Sequence, residues 1–408
     1  MKYIEKLLNG AEVKWMPLGE VFETRNGYTP SKANNDFWTK GDIPWFRMED
    51  IRDSGRLLND SIQHITPQAI KGKGLFRANS IIMATTATIG EHALLLVDAL
   101  ANQQFTNFQI RKSLSERISP MFAFYYFFVL GEWCKSNVNT SSFPSVDMAR
   151  LMKQLFPIPP LAVQEEIVRI LDKFTTQEAE LEAELDCRKR QYEYYRNQLL
   201  SLDVINSKGN LNNVEVVTLG EIGTFVRGSG LQKKDFTATG VGCIHYGQIY
   251  TYYGTCADKT KSFVSYEFAQ KARKAKTGDL IIATTSENDD DVCKAVVWLG
   301  DDEIAVSSDA CFYTHKMNPK YVAYYFQTDS FQKQKRSFIT GTKVRRVNAT
   351  DLAKIKIPIP PLAEQQRIVS ILDKFEALTT SISEGLPKEI ALRRKQYEYY
   401  RNQLLSFA

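Results

Sequence analysis

The chain has 408 residues, of which 43% are hydrophobic and 24% are charged, with 22 glycines and 14 prolines. This composition excludes a largely disordered, collagen-like or fibrous protein, and at roughly 100–200 residues per domain the length predicts two to four domains. The 52 basic and 47 acidic residues leave a net charge of +5, so an anion-binding surface must come from local clustering rather than from a basic tail.

The cysteines and the apolar segments indicate the compartment. The 6 cysteines occur singly, with no CxxC pair, which predicts reduced thiols. The first ten residues lack the apolar core of a signal sequence, and the most apolar stretch, 121–130, is too short to span a bilayer. We therefore expect a cytoplasmic protein without a membrane segment.

In chain order, the first predicted element is a helical segment over residues 1–15. Residues 3–8, YIEKLL, resemble residues 195–200, YRNQLL, as if the chain began just inside the end of a repeat. We expect this segment to complete a helical bundle with later parts of the chain. Residues 16–156 then mix short β-branched and aromatic runs with turn signals such as Asn26-Gly27, which indicates an α+β domain.

A long helix is predicted next, within a central spacer at 157–203. The segment from Leu161 to about Leu202 contains no glycine or proline and follows a Pro-Pro pair, a typical helix entry. Forty residues of helix would be ~60 Å long. Apolar residues in a 4-3 rhythm predict a coiled-coil seam that needs a partner helix; they are Ile167, Leu171, Phe174, Leu181, Leu185, Tyr192, Tyr195 and Leu199.

The partner helix is predicted at the other end of the chain. A linker at 204–216 precedes a second α+β domain at 217–356, and a second helical spacer follows at 357–408. Gly385 and Pro387 predict a break or kink in this spacer. A four-residue insertion before residue 393 equals one helical turn and predicts a seam that stays in phase. We expect the two spacers to pack as an intramolecular antiparallel coiled coil.

The second half of the chain repeats the first. Residues 159–174, PPLAVQEEIVRILDKF, recur at 360–375 as PPLAEQQRIVSILDKF, and residues 188–201 recur at 393–406. Between these anchors the apolar positions are kept while the polar ones differ. A repeat of this length indicates a duplicated folding unit, so the sequence predicts two similar α+β domains with different surfaces in a circular, pseudo-twofold arrangement.

Catalytic motifs are missing from the sequence. It contains no GxxxxGK[ST] loop, no GxGxxG after a strand, and no metal-site spacing among its histidines. It also lacks the Asn-Pro-Pro-aromatic tetrapeptide that amino-methyltransferases use around a flipped base. Asp289, Asp290 and Asp291 with Lys294 resemble the acid-and-lysine set of metal-dependent nucleases, but a solvated acidic loop is the commoner meaning. We expect a chain that is not catalytic and binds no metal.

Basic clusters at 259–276 and 333–346 predict contacts with a polyanion such as DNA. Polar side chains in nearby loops are able to read base edges. In the first domain these candidates are Arg25, Asn26, Arg47, Asn102, Gln103, Gln104, Ser141 and Ser142. In the second domain they are Arg227, Ser229, Gln248, Ser286, Lys343, Arg345 and Arg346. For each of them an ordinary surface polar residue stays the open alternative.

The order of variable region, PPLxxQ helix, second variable region and second PPLxxQ helix resembles the specificity subunit of type I restriction-modification systems over essentially the whole chain. Its marks are residues 160–164 with 170–174, residues 361–365 with 371–375, and a tandem AEL at 179–185. The resemblance implies two target recognition domains that each read one half of a split double-stranded DNA sequence. It also implies that the spacers set the gap and dock two modification (adenine methyltransferase) subunits, which restriction subunits then join.

The resemblance further implies that this chain holds no cofactor and that S-adenosylmethionine, ATP and Mg belong to the partner subunits. The spacer residues that we expect to support docking are Leu161, Gln164, Ile167, Leu171, Phe174, Leu362, Gln365, Ile368, Leu372 and Phe375. Two alternatives stay open at this point. One is a coiled-coil protein-interaction scaffold without DNA binding, and the other is a nuclease that uses the acidic triplet.

Overall fold

The computed structural model describes residues 3–139, 144–208, 214–381 and 383–407. They form two compact units. Unit 1 consists of Met1–Glu180 with Ile390–Ala408, and unit 2 consists of Leu181–Glu389. Because both boundaries fall within the predicted spacers, each unit contains a piece of each spacer.

The N-terminal half of the chain contains a series of short strands followed by one long helix. Its elements are α1 (Tyr3–Leu8), β1 (Lys14–Pro17), α2 (Leu18–Val21), β2 (Phe22–Asn26), β3 (Ile43–Phe46), α3 (Met48–Ser54), β4 (Leu57–Leu58), β5 (His64–Ile65), β6 (Ile81–Ala84), β7 (His92–Leu95), β8 (Leu100–Ala101), β9 (Phe105–Ile110), α4 (Pro120–Ser136), β10 (Val138–Asn139), β11 (Ser145–Val146), α5 (Met148–Leu151), β12 (Leu155–Ile158) and α6 (Leu161–Leu199).

The C-terminal half follows the same plan and ends in two helices. Its elements are α7 (Leu202–Lys208), β13 (Glu215–Thr218), α8 (Leu219–Ile222), β14 (Gly223–Arg227), β15 (Phe236–Thr237), β16 (Val241–Ile244), α9 (Tyr246–Thr251), β17 (Cys256–Ala257), β18 (Ser262–Val264), α10 (Tyr266–Lys271), β19 (Lys274–Ala275), β20 (Leu280–Ala283), β21 (Thr285–Ser286), β22 (Ala295–Trp298), β23 (Ile304–Val306), β24 (Ala310–His315), α11 (Pro319–Phe326), α12 (Asp329–Arg336), β25 (Arg345–Arg346), α13 (Ala349–Leu352), β26 (Lys356–Ile359), α14 (Leu362–Thr380) and α15 (Leu386–Leu405).

The strands of the two units have the same order. The five-stranded sheet β2-β9-β6-β7-β4 of unit 1 corresponds to β14-β24-β20-β22-β17 of unit 2, and β5-β3-β8 corresponds to β18-β16-β23. In both large sheets the last pair is parallel, β4 with β7 and β17 with β22. An antiparallel pair, β1 with β12 or β13 with β26, closes each unit next to its spacer helix. The predicted duplication of an α+β domain is confirmed.

An aromatic helix in each unit packs between the large sheet and the spacer. Ser119 caps α4 and Asn318 caps α11, and each helix begins with proline, which suits the first helical turn. The core of unit 1 joins Phe122 and Phe127 of α4 to Ile167 of α6. In unit 2 the core joins side chains of α11 to those of α14 in the same way. Burial of each such side chain contributes about 1.5–3 kcal/mol.

The glutamine of each PPLxxQ motif is a buried clamp. Gln164 accepts a hydrogen bond from the Ser119 N–H (2.9 Å) and donates to the carbonyl oxygens of Arg117 and Pro159, both at 2.8 Å. Gln365 makes the corresponding bonds with the Asn318 N–H and the Pro360 carbonyl, both at 2.8 Å. The amide therefore ties the start of each spacer helix to the start of α4 or α11.

The aspartate of each ILDKF motif makes a second tie between the same helices. Tyr125 of α4 donates its hydroxyl to Asp172 at 2.5 Å, and Tyr324 of α11 donates to Asp373 at 2.6 Å. Burial and the neighbouring carboxylate raise the pKa of both tyrosines, so each hydroxyl keeps its proton and remains a donor. These motifs are thus fold determinants of the units.

The spacer helices pair antiparallel in unit 1. The rings of Phe174 in α6 and Tyr400 in α15 stack with centroids 5.2 Å apart, and further along α6 Glu178 forms an ion pair with Arg394. The contact therefore moves towards the C-terminus of α6 as it moves towards the N-terminus of α15, so the two helices run antiparallel. In unit 2, Phe375 of α14 stacks on Tyr195 of α6 at 5.4 Å. The predicted pairing of the two spacers within one chain is confirmed.

The second spacer is broken where the sequence predicts it. Helix α14 ends at Thr380 and α15 begins at Leu386, with Pro387 in its first turn. Gly385 has a φ of +86°, and a Cβ at this position would lie 2.5 Å from the carbonyl oxygen of Ala377. The prediction that the inserted residues add one helical turn is wrong, because the segment that contains them is interrupted by this break. The seam stays in phase after the insertion, since Phe174 stacks on Tyr400 in unit 1 as Phe375 stacks on Tyr195 in unit 2.

The helical ends of the units need two further corrections. Helix α6 ends at Leu199 rather than Leu202, and α7 occupies the first part of the predicted linker. Ile4 of α1 is buried beside Leu404 and Leu405, whereas Ile205 of α7 is buried beside Leu199 and Leu200. The N-terminal segment thus corresponds to α7, which follows the spacer, and not to residues 195–200 within it.

Candidate nucleic-acid interface

Three loop segments, the end of one strand and a second short strand meet at one end of unit 1. They are joined by backbone hydrogen bonds between the residues that follow β2, the corner between β3 and α3, the β8–β9 turn, the end of β6, and β11. These bonds run from Tyr28 N to Ala101 O (2.9 Å), Asn102 N to Phe46 O (3.0 Å), Thr85 N to Gln104 O (2.9 Å) and Val146 N to Thr85 O (2.9 Å). We call this surface platform 1.

Unit 2 has the same surface, built by the equivalent bonds. They run from Ser229 N to Val306 O (2.8 Å), Ser307 N to Ile244 O (3.2 Å), Thr284 N to Asp309 O (2.9 Å) and Val347 N to Thr284 O (3.1 Å). We call this surface platform 2. The backbone frame is therefore repeated, and the side chains on it differ between the units.

Platform 1 gathers most of the first-domain candidates. Arg47, Asn102 and Gln104 line one cavity of about 330 Å³ together with Thr88. Among the residues that the structure describes, Arg47 Nε and Thr88 Oγ1 are buried without a hydrogen-bond partner. Buried polar atoms are normally satisfied, so these two atoms are exceptions to the usual pairing.

The remaining candidates of platform 1 are partly engaged already. Arg25 stacks on the ring of Phe76 at 4.7 Å, and burial lowers the pKa of its guanidinium. Asn26 accepts a hydrogen bond from Thr106 at 3.0 Å, and Gln103 accepts one from the Thr29 hydroxyl at 2.5 Å. Ser141 and Ser142 lie outside the described residues.

Platform 2 gathers the three candidate arginines of the second domain. Arg227 and Arg346 line a cavity of about 110 Å³ that Asp309 also lines. Strand β21 pairs with β25, which places Ser286 opposite Arg345 and Thr285 opposite Arg346. Lys343 is exposed in the loop before β25. Cationic and hydroxyl groups thus share one surface, as contact with a phosphate backbone requires.

Two candidates of platform 2 hold the local backbone. The Ser229 hydroxyl accepts a hydrogen bond from the Arg273 N–H at 2.8 Å. Gln248 accepts from the His245 N–H at 3.0 Å and donates to the Ser262 hydroxyl at 2.7 Å. Both the oxygen and the nitrogen of the Gln248 amide are therefore used in hydrogen bonds within the protein.

The acidic loop beside platform 2 is held by cations. Asp289 forms an ion pair with Arg345 at 2.8 Å, and Asp290 lies 3.7 Å from Arg336. Lys335, which the sequence places in a surface cluster, is buried instead and donates to the carbonyl oxygens of Asp290 and Val292 at 3.0 and 2.9 Å. Within the described part of the chain, no group of histidine, cysteine and acidic side chains has the arrangement to hold a metal ion.

Most of the spacer residues expected to support docking are buried within their own units. The side chains of Gln164, Ile167, Leu171, Gln365, Ile368 and Leu372 are at most 1% exposed. They stabilise the interior of their own unit and offer no surface to another chain. Leu161 and Leu362 are 41% and 60% exposed, and Phe174 and Phe375 are partly covered by the paired spacer helices. Of the residues predicted to support docking, Leu161 and Leu362, at the start of each spacer helix, are therefore the most accessible to another chain.

Sequence reasoning missed several residues of the platforms. Ser307, Ser308 and Asp309 form the turn equivalent to Asn102, Gln103 and Gln104, and His245 stands where unit 1 has Arg47. Arg47 and His245 are 198 residues apart, whereas the PPLxxQ repeats are 201 residues apart. An alignment of the two halves with one constant offset therefore does not match Arg47 with His245. A sequence signal does mark both corners. Three residues after Arg47 and after His245 stands a side chain that accepts the N–H of the corner residue, Asp50 in unit 1 and Gln248 in unit 2.

Two further findings concern the chain as a whole. In the described parts of the sequence, we find no helix that combines the length and the apolar content for crossing a bilayer. The 6 cysteines form no disulfide with one another.

Comparison with known proteins identifies relatives over the full length. A family model described as the type I restriction modification DNA specificity domain matches residues 11–186 and again 212–392. A putative type I restriction enzyme specificity subunit of Haemophilus influenzae is 31% identical and aligns over 100% of this chain and 98% of its own. A specificity subunit of Escherichia coli is 32% identical over 100% and 97%. A second one from Escherichia coli is 50% identical over 54% of this chain and 57% of the relative.

Solved structures show the same fold. The HsdS subunit of Thermoanaerobacter tengcongensis has a TM-score of 0.53 at 15% identity and covers 97% of both chains. A chain from a study of assembly and conformational transition of the type I R-M system has a TM-score of 0.63 at 16% identity and covers 96% of this chain and 97% of that one. With two matches to the specificity domain and full-length relatives, this chain belongs to the specificity subunits of type I restriction-modification systems, the non-catalytic components that recognise the DNA target.

Proposed function

We propose that the two platforms read the two halves of one split double-stranded DNA target, platform 1 in the recognition domain at 16–156 and platform 2 in the domain at 217–356. The observation that carries this proposal is the repetition of one backbone frame with different side chains. A repeated frame gives both surfaces the same approach to a duplex, and different polar side chains give them different base preferences.

We propose further that two modification subunits dock on the exposed surfaces of the spacers and that restriction subunits join this core in the cytoplasm. S-adenosylmethionine, ATP and Mg would then belong to the partner subunits. Methylation of adenine requires the base to leave the stack, so the role of this chain is to place the partner's active site over the correct base. Exposed Leu161 and Leu362 are the first residues to test for docking.

Methylome sequencing tests the reading of a split target. The chain is expressed with its modification subunits in a host that lacks adenine methylation, and the genome is sequenced for modified bases. We expect one motif with two specified halves separated by unspecified bases. A contiguous motif, or methylation without any sequence preference, would contradict the proposal.

A salt titration separates DNA reading from the scaffold alternative. Binding of the assembled complex to a duplex that carries the motif should weaken steeply with salt, since each neutralised phosphate adds about 0.9 to the slope of log affinity against log salt concentration. A complex that assembles but has no affinity for DNA at low salt would favour a purely protein-binding scaffold.

A further inference from the structure

The two platforms carry one structurally equivalent corner each, where a strand turns into a short helix. In unit 1 the Arg47 N–H donates to Asp50 Oδ2 at 2.6 Å, and Asp50 Oδ1 accepts from the Ile62 N–H at 2.7 Å. In unit 2 the His245 N–H donates to Gln248 Oε1 at 3.0 Å. Gln248 also donates to the hydroxyl of Ser262 in β18 at 2.7 Å. Arg47 and His245 therefore occupy the same position.

The turn that follows β8 in unit 1 and the turn that follows β23 in unit 2 support the two corners in the same way. The Asn102 N–H donates to the carbonyl of Phe46, one residue before Arg47, at 3.0 Å. The Ser307 N–H donates to the carbonyl of Ile244, one residue before His245, at 3.2 Å. The backbone at each corner is therefore fixed from both sides, and the corner residue is Arg47 in unit 1 and His245 in unit 2.

The imidazole of His245 is held in one orientation and one tautomer. Its Nδ1 accepts a hydrogen bond from the Gly247 N–H at 3.2 Å, which leaves the proton of the neutral ring on Nε2. The ring also contacts the ring of Tyr246, with centroids 4.7 Å apart. Among the described residues no acceptor for Nε2 is found, so this donor is open to a ligand.

The surroundings of His245 favour its neutral form. Partial burial lowers the pKa of the imidazole, nearby Lys233 lowers it further, and Asp309 opposes them. A neutral ring keeps Nδ1 as the acceptor for Gly247 and Nε2–H as an outward donor. The side chain thus presents one directed donor, where Arg47 presents a guanidinium.

We propose that His245 is a specificity-determining residue of platform 2 and donates its Nε2–H to an acceptor atom on a base edge in the major groove. This assignment rests on the proposed function, because it assumes that platform 2 faces DNA. The acceptors available are N7 and O6 of guanine, N7 of adenine and O4 of thymine, whereas the exocyclic amine of cytosine is a donor. His245 therefore selects against cytosine at the base that it contacts.

The test uses the complex of this chain with its modification subunits and reads the methylated motif in the genome. The variants are His245→Ala, which removes the donor, and His245→Asn, which keeps a side-chain oxygen able to accept the Gly247 N–H at a favoured capping position. Arg47→Ala is the matched variant in unit 1, and Gln248→Ala tests the neighbouring amide as the rival reader.

We expect His245→Ala to relax one base position of one half of the motif, with discrimination there reduced about fivefold or more. His245→Asn should fold as well as the parent chain and keep much of the discrimination against cytosine at the same position, because its oxygen takes over the Gly247 N–H while its NH2 group still donates. Arg47→Ala should relax a position in the other half only.

Three outcomes would overturn the assignment. They are an unchanged motif in both His245 variants, an equal loss at every position while the complex stays folded and assembled, and a base shift in Gln248→Ala but not in the His245 variants. Failure of the unmodified chain to give a split motif would instead refute the proposed function, so the two failures are distinguishable.

Discussion

Single side chains decide how the recognition units respond to acid. His92 of β7 is fully buried, lies against the ring of Phe128 at 4.5 Å, and faces the carbonyl oxygens of Gly90 and Phe124. Burial lowers the pKa of His92 to about 3, with Arg56 adding to the effect. His315 of β24, in unit 2, is also largely covered, and burial lowers its pKa to about 4.

The protein should therefore lose stability in mild acid. Below about pH 6.5, the ordinary histidine pKa, both histidines become protonated in the unfolded chain but stay neutral in the folded units. The free energy of unfolding therefore falls as the pH drops towards the pKa values of the folded protein. His92→Leu should reduce this slope in unit 1, by about 0.7 kcal/mol between pH 7 and 6 and about 1.2 kcal/mol between pH 6 and 5, as measured by denaturant unfolding at pH 7, 6 and 5. The contribution of His315 should persist, and an unchanged pH profile in His92→Leu would contradict the argument.

Two basic residues that are close in sequence have different roles. Arg346 is exposed and lines the cavity of platform 2, whereas Lys335 is buried and bonded to two backbone carbonyls. Arg346→Ala should reduce the slope of log affinity against log salt concentration by about 0.9, the loss of one phosphate contact. Lys335→Met should leave this slope unchanged and lower the unfolding free energy by about 1–3 kcal/mol for each carbonyl left unsatisfied.

Equal effects of these two substitutions on the salt slope of the assembled complex would contradict the assignment. Sequence alone could not separate the two residues, because both lie in the same basic run. The burial of Lys335 depends on the acidic loop, whose position is set by the fold.

At the scale of secondary-structure elements, the break in the second spacer depends on one glycine. Ala at position 385 would combine the left-handed conformation, which costs roughly 1–2 kcal/mol for residues with a Cβ, with a close approach to the carbonyl of Ala377. Gly10 has a φ of +84° and open space around its Cβ position. Gly385→Ala should therefore lower the unfolding free energy by more than Gly10→Ala does, and equal losses would contradict this account.

The helices and the duplication were predictable because their signals are local. Absence of glycine and proline marks α6, the Gly385 and Pro387 pair marks the break, and the repeated PPLxxQ motif marks both helix starts. The roles of the motif residues were not predictable. Gln164 and Gln365 are expected as docking residues from the sequence and are buried clamps in the structure, because their partners in α4 and α11 are about 45 residues away along the chain.

The platforms were predicted in part. Arg25, Arg47, Asn102 and Arg227 follow from residue type and from turn signals nearby. His245 and the turn at 307–309 were not predicted. Insertions and deletions change the number of residues between equivalent positions of the two halves, so only the hydrogen bonds of the fold establish which positions are equivalent.

For the whole molecule, the proposed reading of a split target predicts that the length of helix α6 determines the unspecified gap. Its residues belong to unit 1 up to Glu180 and to unit 2 from Leu181. A second copy of residues 182–185 inserted after Leu185 would lengthen the helix by about 6 Å, which is nearly two base pairs of B-DNA at 3.4 Å each. We expect the unspecified gap of the methylated motif to grow by one or two base pairs while both specified halves stay the same, as read by methylome sequencing. A changed half would contradict this prediction.

Unit 1 also depends on residues from both ends of the sequence. Ile4 is buried against Leu404 and Leu405, so this core contains side chains separated by about 400 positions. During synthesis at about 5–20 residues per second, the first recognition unit would wait on the order of ten to forty seconds for its closing helix to leave the ribosome. The nascent chain must meanwhile carry the uncovered faces of Ile4, which shares its core with Leu404 and Leu405, and of Phe174, which stacks on Tyr400. This part of unit 1 therefore stays exposed to other chains until α15 is made.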